Sequence, residues 1–382
     1  MRITRLSVHG YRSIRALELP LGQVNVITGP NGAGKSNLYR SLLLLGAAAR
    51  GELARALAQE GGLPSALWAG PRRHGRRKPP PVRLRLGLEL QALRYELQLG
   101  LPVPRQVTYP WGGELVRAGT LFARDPEVKQ ETLDVPVRGR ARPVRLLERK
   151  DQSAWLQDEE GRRVSYPLEL VRSESVVSQL SDPRRFPELA ALREVFGGWR
   201  VHHHLRTDPE APVRRPQPGA RTPVLSADGS DLLCALHTIR EDGDARALEE
   251  AVRRALPQVE RFEVVADDQG RLSLELRVRG VPRPFGLEEL SEGTLRYLAL
   301  CAALLSPRPP ALLCLNEPEA SLHPDLLAPL AGLLLRASRS AQLWITTHSP
   351  ALAAALAAGS GEPPLRLRLR AGATELAGEE EE

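Results

Sequence analysis

The chain has 382 residues, 42% of them hydrophobic, which excludes intrinsic disorder and favours a large domain with an insertion over one compact core. No apolar run is long enough for a membrane helix, and the amino terminus has no signal-peptide core, so we expect a cytoplasmic protein without a membrane partner. The formal net charge of +7 indicates a nucleic-acid partner only weakly, because all but four of the 53 basic residues are arginines, as a genome-wide compositional bias would produce.

The first 60 residues have the pattern of strands followed by a loop and helices. We predict strands at 1–9, 15–21 and 24–28 and helices at 36–49 and 52–60. The alternation in 1–9 is typical of an edge strand, and the apolar run 42–49 fits a helix interior. The stretch PRRHGRRKPPP at 71–81 is predicted to lack regular structure, because its prolines and glycine forbid it.

From residue 82 to about 122 the hydrophobic pattern changes to period two, which predicts antiparallel strands with one solvated face. The later predicted elements are hairpins at 145–166 and 260–280, a loop at 207–227, and helices after 181–183, at 231–241 and at 246–256. From residue 289 onward the pattern is helix, strand, helix, strand, as in an open α/β sheet.

The segment GPNGAGKS, Gly29–Ser36, fits the phosphate-loop pattern directly after a buried strand and before a helix. Glycines let backbone N–H groups surround phosphate oxygens, and a helix amino terminus adds favourable partial charge. Lys35 is predicted to contact the β- and γ-phosphates and Ser36 to bind Mg²⁺. The nucleotide-binding residues predicted here are Gly29, Pro30, Asn31, Gly32, Ala33, Gly34, Lys35, Ser36 and Asn37.

The segment LSEGT, Leu290–Thr294, lies at the start of a predicted helix, 294–305, and forms a second candidate anion site. Taken alone, Ser291 with a nearby acid is better explained as an ordinary helix cap. An apolar strand that ends in an acid and a proline follows this helix, and that context favours the functional interpretation.

Two polar strand ends follow. The strand ALLCLNEP at 311–318 places Asn316 and Glu317 at its carboxyl end, where active groups of open α/β sheets collect. Glu317 is predicted to polarise an attacking water, while the Asn316 amide oxygen can coordinate a metal but brings no negative charge. The next apolar strand, LWITTHS, ends at His348, and a lone histidine there would ordinarily be structural.

These four motifs, with GYRSI near the amino terminus, resemble the RecF-like and SMC-like branch of ABC-type ATPases. They are more closely similar to a family of bacterial AAA-type ATPases related to the OLD proteins. The resemblance is best over 1–50 and 285–350, and extends to WAGP (68–71), RTDPEAP (206–212) and DGSDLLCAL (228–236). It implies an α/β fold of the ABC-type P-loop NTPases, with a mostly parallel sheet, an antiparallel β layer and an inserted arm and lid.

The resemblance also implies roles by position. Arg12 would reach phosphate, Ser291 and Gly293 would bind the nucleotide of the other subunit, Glu317 would be the catalytic carboxylate, His348 would sense the γ-phosphate, and Ser321–His323 would contact the second subunit. The candidate metal-shell residues are Ser36, Asn316 at the usual aspartate position, and Gln179 in VVSQL, the candidate lid glutamine. The chain departs from the family at LSEGT, for LSGGQ, and at Asn316. The departure at Asn316 leaves two interpretations open. Either the substitution is tolerated, or ATP turnover is slow or regulated.

Several other features have simpler explanations. His202–His204 are adjacent, so their side chains alternate between faces and a three-ligand metal site is not expected. The basic stretch 71–81 is better explained as a solvated loop than as a DNA contact, and GEEEE at 378–382 as a disordered tail. The cysteines Cys234, Cys301 and Cys314 show no metal-binding spacing and are expected to be buried.

The sequence therefore predicts a slow ATPase that uses ATP and Mg²⁺, forms a homodimer in the ATP state, and serves DNA repair, recombination or defence. The predicted division is 1–60 and 225–372 for the ATPase core, 61–224 for an inserted arm and lid, and 373–382 for an acidic tail. The alternatives are a weakly hydrolysing nucleotide switch that scaffolds a protein partner and, less favoured, a transporter motor. Since the chain ends soon after His348, we expect any nuclease activity to come from a partner.

Overall fold

The computed structural model divides the chain into two compact units. Unit 1 comprises residues 1–21, 29–197 and 367–382, and unit 2 comprises 22–28 and 198–366. The described residues are 1–70, 82–91, 93–103, 105–107, 116–118, 121–136, 143–157, 161–180, 182–203 and 205–378. Predictions on 71–81, Ser181, His204 and 379–382 therefore fall outside the described residues. The domain boundaries drawn from the sequence remain predictions.

Unit 1 contains an eight-stranded antiparallel sheet in the order β11-β10-β9-β8-β5-β4-β1-β2. Its strands are β1 (Ile3–Tyr11), β2 (Ile14–Pro20), β4 (Leu84–Leu90), β5 (Arg94–Gly100), β8 (Glu127–Val135), β9 (Val144–Lys150), β10 (Ser153–Gln157) and β11 (Arg163–Ser165). Two short strands, β6 (Arg105–Val107) and β7 (Val116–Ala118), pair separately. The period-two alternation after residue 82 thus predicted antiparallel strands correctly.

The predicted edge position of the first strand is wrong. β1 lies between β2 and β4, so that Val8 is opposite Leu17 on one side and Leu86 on the other. Its apolar residues Leu6 and Val8 are fully buried, as in an interior strand. Alternation along one strand shows that one face is solvated, but it does not show whether both neighbours are present.

The helices of unit 1 are α1 (Lys35–Arg50), α2 (Leu53–Gln59), α3 (Leu63–Ala66), α4 (Val176–Gln179) and α5 (Pro187–Gly197). The apolar run 42–49 lies inside α1, as predicted, and this helix ends at Gly51, whose φ of 74° is the left-handed conformation that glycine adopts readily. The predicted helix start at 181–183 is displaced. Asp182 instead accepts hydrogen bonds from the Arg184 and Arg185 N–H groups in a turn, and α5 begins at Pro187.

Unit 2 is built on parallel strands in the order β12-β17-β18-β3-β19, namely β12 (Arg200–His202), β17 (Leu312–Asn316), β18 (Gln342–Thr346), β3 (Val24–Thr28) and the start of β19 (Leu365–Arg370). A smaller antiparallel sheet contains β13 (Gln217–Pro218), β14 (Val259–Ala266), β15 (Arg271–Val278) and β16 (Phe285–Gly286). From Leu367 onward β19 belongs to unit 1, where it pairs with β20 (Ala373–Leu376). Residues 373–376 are therefore a strand, although the sequence assigned them to the acidic tail.

The helices of unit 2 are α6 (Leu232–Asp242), α7 (Ala245–Ala255), α8 (Glu292–Leu304), α9 (Leu327–Ala337) and α10 (Pro350–Ser360), with 3₁₀ turns at Pro212–Arg214, Leu287–Glu289 and Pro324–Leu326. Their apolar faces form one continuous core with the parallel strands. The three cysteines are buried, as predicted. Among the described residues, no helix has the length and hydrophobicity required to cross a bilayer.

Candidate active site

The loop Gly29–Ser36 in unit 1 has a backbone that requires its glycines. Gly29, Gly32 and Gly34 have φ angles of 145°, 80° and 99°, a region that residues with a Cβ rarely adopt. The Ala33 N–H donates to the Pro30 carbonyl at 3.2 Å, which closes the turn. The glycine spacing read from the sequence thus corresponds to three points of left-handed backbone.

This loop presents hydrogen-bond donors. Within the described part of the chain, the N–H groups of Gly32, Gly34 and Ser36 have no intramolecular acceptor, and neither does the exposed Ser36 hydroxyl. Gly34 precedes α1, so the unpaired donors combine with the positive end of the helix dipole. Such an arrangement fits phosphate oxygens, and the Ser36 hydroxyl fits a metal ion bound to them.

The Lys35 ammonium is folded back onto the same loop. Lys35 is 6% exposed, and its Nζ donates to the Gly29 carbonyl at 2.6 Å and to the Pro30 carbonyl at 3.0 Å. A buried ammonium is stable only when its donors are satisfied. The cation is therefore held at the loop, and its contact with phosphates remains a prediction.

The turn at Arg12 and Ser13 lies beside the first turn of α1. The Asn37 Nδ2 donates to Ser13 Oγ at 2.8 Å, and Ser13 Oγ lies 2.8 Å from Thr374 Oγ1 in β20. A Cβ on Gly34 would be 2.2 Å from this Thr374 oxygen, so the hairpin β19–β20 packs tightly against the loop. Thr374 was not predicted from the sequence, because its only signal is a short alternating run near residue 370.

The Arg12 guanidinium is paired with the Glu60 carboxylate. Its Nε and one terminal nitrogen donate to Glu60 Oε2 at 3.0 and 2.7 Å, and Tyr11 donates its hydroxyl to the same carboxylate. Burial lowers the Arg12 pKa, but the hydrogen bond and charge of Glu60 outweigh it, so that the pKa is raised overall. Any contact of Arg12 with phosphate would therefore compete with Glu60.

In unit 2, the carboxyl ends of three parallel strands lie side by side. Asn316 at the end of β17 is opposite Thr346 in β18, and Thr346 is opposite Ile27 in β3. The ends of β17 and β18 are polar and are followed by the polar residues Glu317 and Thr347, as the sequence predicted. This edge is where ligands and catalytic groups of open α/β sheets are found.

Glu317 leaves this edge with a strained backbone. Its φ is 47°, unusual for a residue with a Cβ, and its N–H donates to the Thr346 carbonyl at 2.7 Å. Asn316 donates its Nδ2 weakly, at 3.5 Å, to the His203 carbonyl. The carboxamide oxygen of Asn316 is therefore turned away from that carbonyl. It can accept a hydrogen bond or coordinate a metal ion.

Glu317 and His348 face each other across the strand ends. Glu317 Oε1 lies 3.6 Å from His348 Nε2, and both side chains are partly exposed. The sequence placed these two residues on neighbouring strand ends, and in the structure they are close enough to contact one water or one phosphate oxygen.

The backbone beside Glu317 is held by Arg296 of α8. This guanidinium is 5% exposed and donates to the Glu317 carbonyl at 2.8 Å and to the Leu205 carbonyl at 3.1 Å. Burial lowers the Arg296 pKa, opposed by the charges of Glu319 and Glu317. Arg296, which follows the LSEGT motif on the buried face of its helix, was not predicted from the sequence.

Glu319 was also missed. Its Oε1 accepts hydrogen bonds from Thr347 Oγ1 at 2.5 Å, the His348 N–H at 2.9 Å and the Ser349 N–H at 3.3 Å. The second acid in NEPEA was visible in the sequence, but nothing local indicated a target 28 residues later.

The segment LSEGT forms a helix start with a close neighbour. Ser291 is the N-cap of α8, since its Oγ accepts from the Thr294 N–H at 3.1 Å. A Cβ on Gly293 would lie 2.8 Å from the Ser321 carbonyl, so only glycine fits without displacement. Ser321 has a φ of 62°, and the segment that follows it ends with His323 as the N-cap of a 3₁₀ turn. The predicted signature and subunit-contact segments therefore lie together in unit 2.

Local contacts occupy the predicted lid residue Gln179 and also His202, where no metal site is expected. The Gln179 carboxamide accepts from the Val171 N–H at 2.7 Å and donates to the Glu174 carbonyl at 3.0 Å within unit 1. His202 is 3% exposed with Nδ1 3.3 Å from the Ala227 carbonyl, and burial lowers its pKa. The described residues contain no group of three His, Cys, Asp or Glu side chains that could hold a metal ion.

Comparison with known families decides the assignment. Residues 24–354 match the family model described as "AAA domain, putative AbiEii toxin, Type IV TA system". The chain belongs to this AAA-domain family. It is a P-loop ATPase domain, and the family implies that a nucleotide binds. None of the curated proteins searched matches the chain.

Solved structures agree on the fold. The AAA-domain chain is similar to an SMC head bound to the C-terminal winged-helix domain of ScpA, with a TM-score of 0.54, 14% identity, and coverage of 99% of this chain and 98% of that one. It is also similar to SMC heads from Pyrococcus furiosus (TM-score 0.51, 12% identity, 98% and 96% covered) and Pyrococcus yayanosii (0.52, 11%, 98% and 96%). The fold is therefore the SMC-head-like, ABC-type P-loop NTPase fold that the sequence predicted.

Proposed function

We propose that this AAA-domain protein hydrolyses ATP slowly and closes into a head-to-tail homodimer around two ATP·Mg²⁺, reopening after hydrolysis. The observation that carries the proposal is the juxtaposition of Glu317 and His348, 3.6 Å apart at the carboxyl ends of adjacent parallel strands. That pair, in a chain whose phosphate loop presents unpaired donors, fits hydrolysis better than nucleotide storage.

In this proposal each residue has one task. The N–H groups of Gly32, Gly34 and Ser36 and the Lys35 ammonium bind the phosphates, with Gly29, Pro30, Asn31, Ala33 and Asn37 shaping the loop. Glu317 orients and polarises the attacking water, and His348 hydrogen-bonds the γ-phosphate. Ser36 and Asn316 would hold Mg²⁺, which neutralises phosphate charge, while Gln179 would join them only after leaving its contacts with Val171 and Glu174.

The second subunit completes the site in this proposal. Ser291 and Gly293 of one protomer bind the nucleotide of the other, and Ser321–His323 contact the partner. Support comes from the close approach of Gly293 to Ser321, which joins the two surfaces that would face the second copy. The positive end of the α8 dipole at Ser291 suits an anionic ligand.

The test is ATP binding and turnover by the purified chain. Lys35→Ala should abolish ATP binding, whereas Lys150→Ala, at an exposed lysine that pairs with Glu148, should not. ATP binding that is equal in the Lys35→Ala variant and the wild type would rule the proposal out. ATP-dependent dimerisation, followed by light scattering, tests the clamp separately.

We propose that the protein uses this opening and closing to act on DNA in repair, recombination or defence. The net charge of +7 supports this, although several sheet basic residues are paired with acids, such as Arg85 with Glu96 and Arg145 with Asp134. Binding to duplex DNA that strengthens with ATP and weakens with salt is expected. No binding at low salt would exclude a DNA substrate.

A second candidate is a nucleotide switch that binds a protein partner. Two observations favour it: Asn316 lacks the charge of an aspartate, and the family description names a toxin of a type IV toxin–antitoxin system. Two of the similar SMC heads are bound to domains of ScpA. Multiple turnovers that disappear in Glu317→Gln would exclude a switch without hydrolysis.

A further inference from the structure

Glu319 has no task in the proposed hydrolysis, yet three donors converge on one of its oxygens. These donors are the Thr347 hydroxyl and the N–H groups of His348 and Ser349, at 2.5, 2.9 and 3.3 Å from Oε1. They stand at the amino terminus of α10, where the first N–H groups of a helix have no partner within the helix. Glu319 therefore acts as a cap supplied from another segment, and its charge is favoured by the helix dipole.

The capped turn is tightly organised. Thr347 is fully buried, its Oγ1 accepts from the Ser349 N–H at 2.9 Å, and its N–H donates to the Ile27 carbonyl at 3.1 Å. Ser349 Oγ in turn accepts from the Leu352 N–H at 3.2 Å. His348 lies between these two anchored residues, so its backbone position depends on the Glu319 carboxylate.

The other end of Glu319 is fixed as well. It lies two residues after Glu317, whose carbonyl is held by Arg296, and two residues before Ser321. Glu319 Oε2 is buried and has no hydrogen-bond partner among the described residues. A buried carboxylate oxygen without a partner is costly, so the position of Glu319 is imposed by the geometry around Oε1.

We propose that Glu319 is a positioning residue that sets the separation of Glu317 and His348. Glu319 joins the His348 backbone to the segment that contains Glu317 and Ser321. The residues that follow β17 and β18 are then held rigidly relative to each other. A displacement of His348 by the γ-phosphate is then passed to Ser321 in the predicted subunit contact. This inference rests on the proposed function of Glu317 and His348 in hydrolysis.

The first test separates kcat from ATP affinity. Glu319→Ala should lower kcat roughly 10- to 100-fold, the scale expected for misplacement by about 1 Å, with the ATP dissociation constant changed less than about twofold. Glu319→Gln should recover most of the loss, because its carboxamide oxygen accepts from the same three donors. The matched control is Glu210→Gln, whose carboxylate is 84% exposed, and it should leave kcat unchanged.

The second test needs no hydrolysis. In protein labelled at the histidine ring carbons, Glu317→Gln should shift the His348 NMR signal in the wild-type background but not in the Glu319→Ala background. If Glu319→Ala fails to fold, Thr347→Val takes its place. It removes one of the three donors to Glu319, so it should lower kcat and weaken the NMR response of His348 to Glu317→Gln by less than Glu319→Ala would. A Glu319→Ala kcat within twofold of wild type, or a His348 signal that still responds to Glu317→Gln, would overturn the inference. Absence of wild-type turnover would contradict the proposed function alone, because the NMR result still decides the role of Glu319.

Discussion

Glu317 Oε1 and His348 Nε2 are separated by 3.6 Å, with 43% and 40% of the two side chains exposed. The separation is too long for a direct hydrogen bond, and it suits a water or phosphate oxygen that contacts both groups. The pair is held in place by backbone contacts, namely Arg296 on the Glu317 carbonyl and Glu319 on the His348 N–H. The chemistry predicted for these side chains therefore depends on two residues that do not react.

Glu317→Gln should bind ATP and fail to turn it over. Loss of a general base typically lowers the rate about 10²- to 10⁴-fold, while the carboxamide keeps the size of the side chain. Phosphate release and equilibrium ATP binding, measured on the same preparation, check both parts. Glu263→Gln, at a surface carboxylate paired with Arg261, serves as the control and should keep wild-type turnover. Unchanged phosphate release in Glu317→Gln would remove Glu317 from the mechanism.

Asn316→Asp should lower the Mg²⁺ concentration needed for half-maximal turnover. The aspartate adds a negative charge at the strand end, where the present carboxamide can only coordinate as a neutral group. The change also loses the weak donation from Nδ2 to the His203 carbonyl, so a small loss of stability is expected. Mg²⁺ titrations of ATPase activity compare the two forms. An unchanged Mg²⁺ requirement would show that Asn316 does not face the metal.

Gly34→Ala should destabilise the protein more than Gly32→Ala does. Both glycines have positive φ, but a Cβ on Gly34 would lie 2.2 Å from Thr374 Oγ1, whereas a Cβ on Gly32 meets no atom within 4 Å. Steric overpacking of this kind costs about 1–3 kcal/mol beyond the shared backbone strain. Urea unfolding without nucleotide measures the difference. Adding Thr374→Ala should recover part of the loss in Gly34→Ala only.

The stability of the protein should decrease as the pH falls below the ordinary histidine pKa, in part because of His202. Burial lowers the His202 pKa from 6.5, so on acidification the unfolded chain takes up a proton before the folded chain does. The contribution of neutral His202 to the free energy of unfolding is complete above pH 6.5 and is lost as the pH falls through the folded-state pKa of His202.

Urea unfolding between pH 7.5 and 5 measures this dependence. His202→Gln should flatten it, whereas His237→Gln, at a partly exposed histidine paired with Glu241, should leave the slope as in wild type. An equal slope in wild type and His202→Gln would contradict the assignment.

The sequence predicted the elements whose signals are local. The helix after Gly34 and the strands that end at Asn316 and Thr346 were found because glycine spacing, apolar runs and polar strand ends lie within a few residues of one another. The side-by-side arrangement of these strand ends also followed, since parallel strands align their carboxyl ends at one edge.

Contacts between distant segments could not be predicted. Ser13 and Thr374 are 361 residues apart, and Glu319 reaches a turn that follows a different strand. The pairing of Arg12 with Glu60 joins two residues 48 positions apart. A carboxylate, a hydroxyl or a guanidinium has many potential partners at such separations, and only the packing of the intervening elements selects one.

The hairpin that packs against Gly34 is made from residues near the end of the chain. During synthesis, the phosphate loop leaves the ribosome more than 330 residues before Thr374 does, and the strand Val24–Thr28 must likewise wait for the distant strands β18 and β19. Neither unit is one continuous stretch of chain, so neither can finish folding until its last segment has been synthesised. The phosphate loop should therefore acquire its affinity for nucleotide only after residues 373–376 have been synthesised.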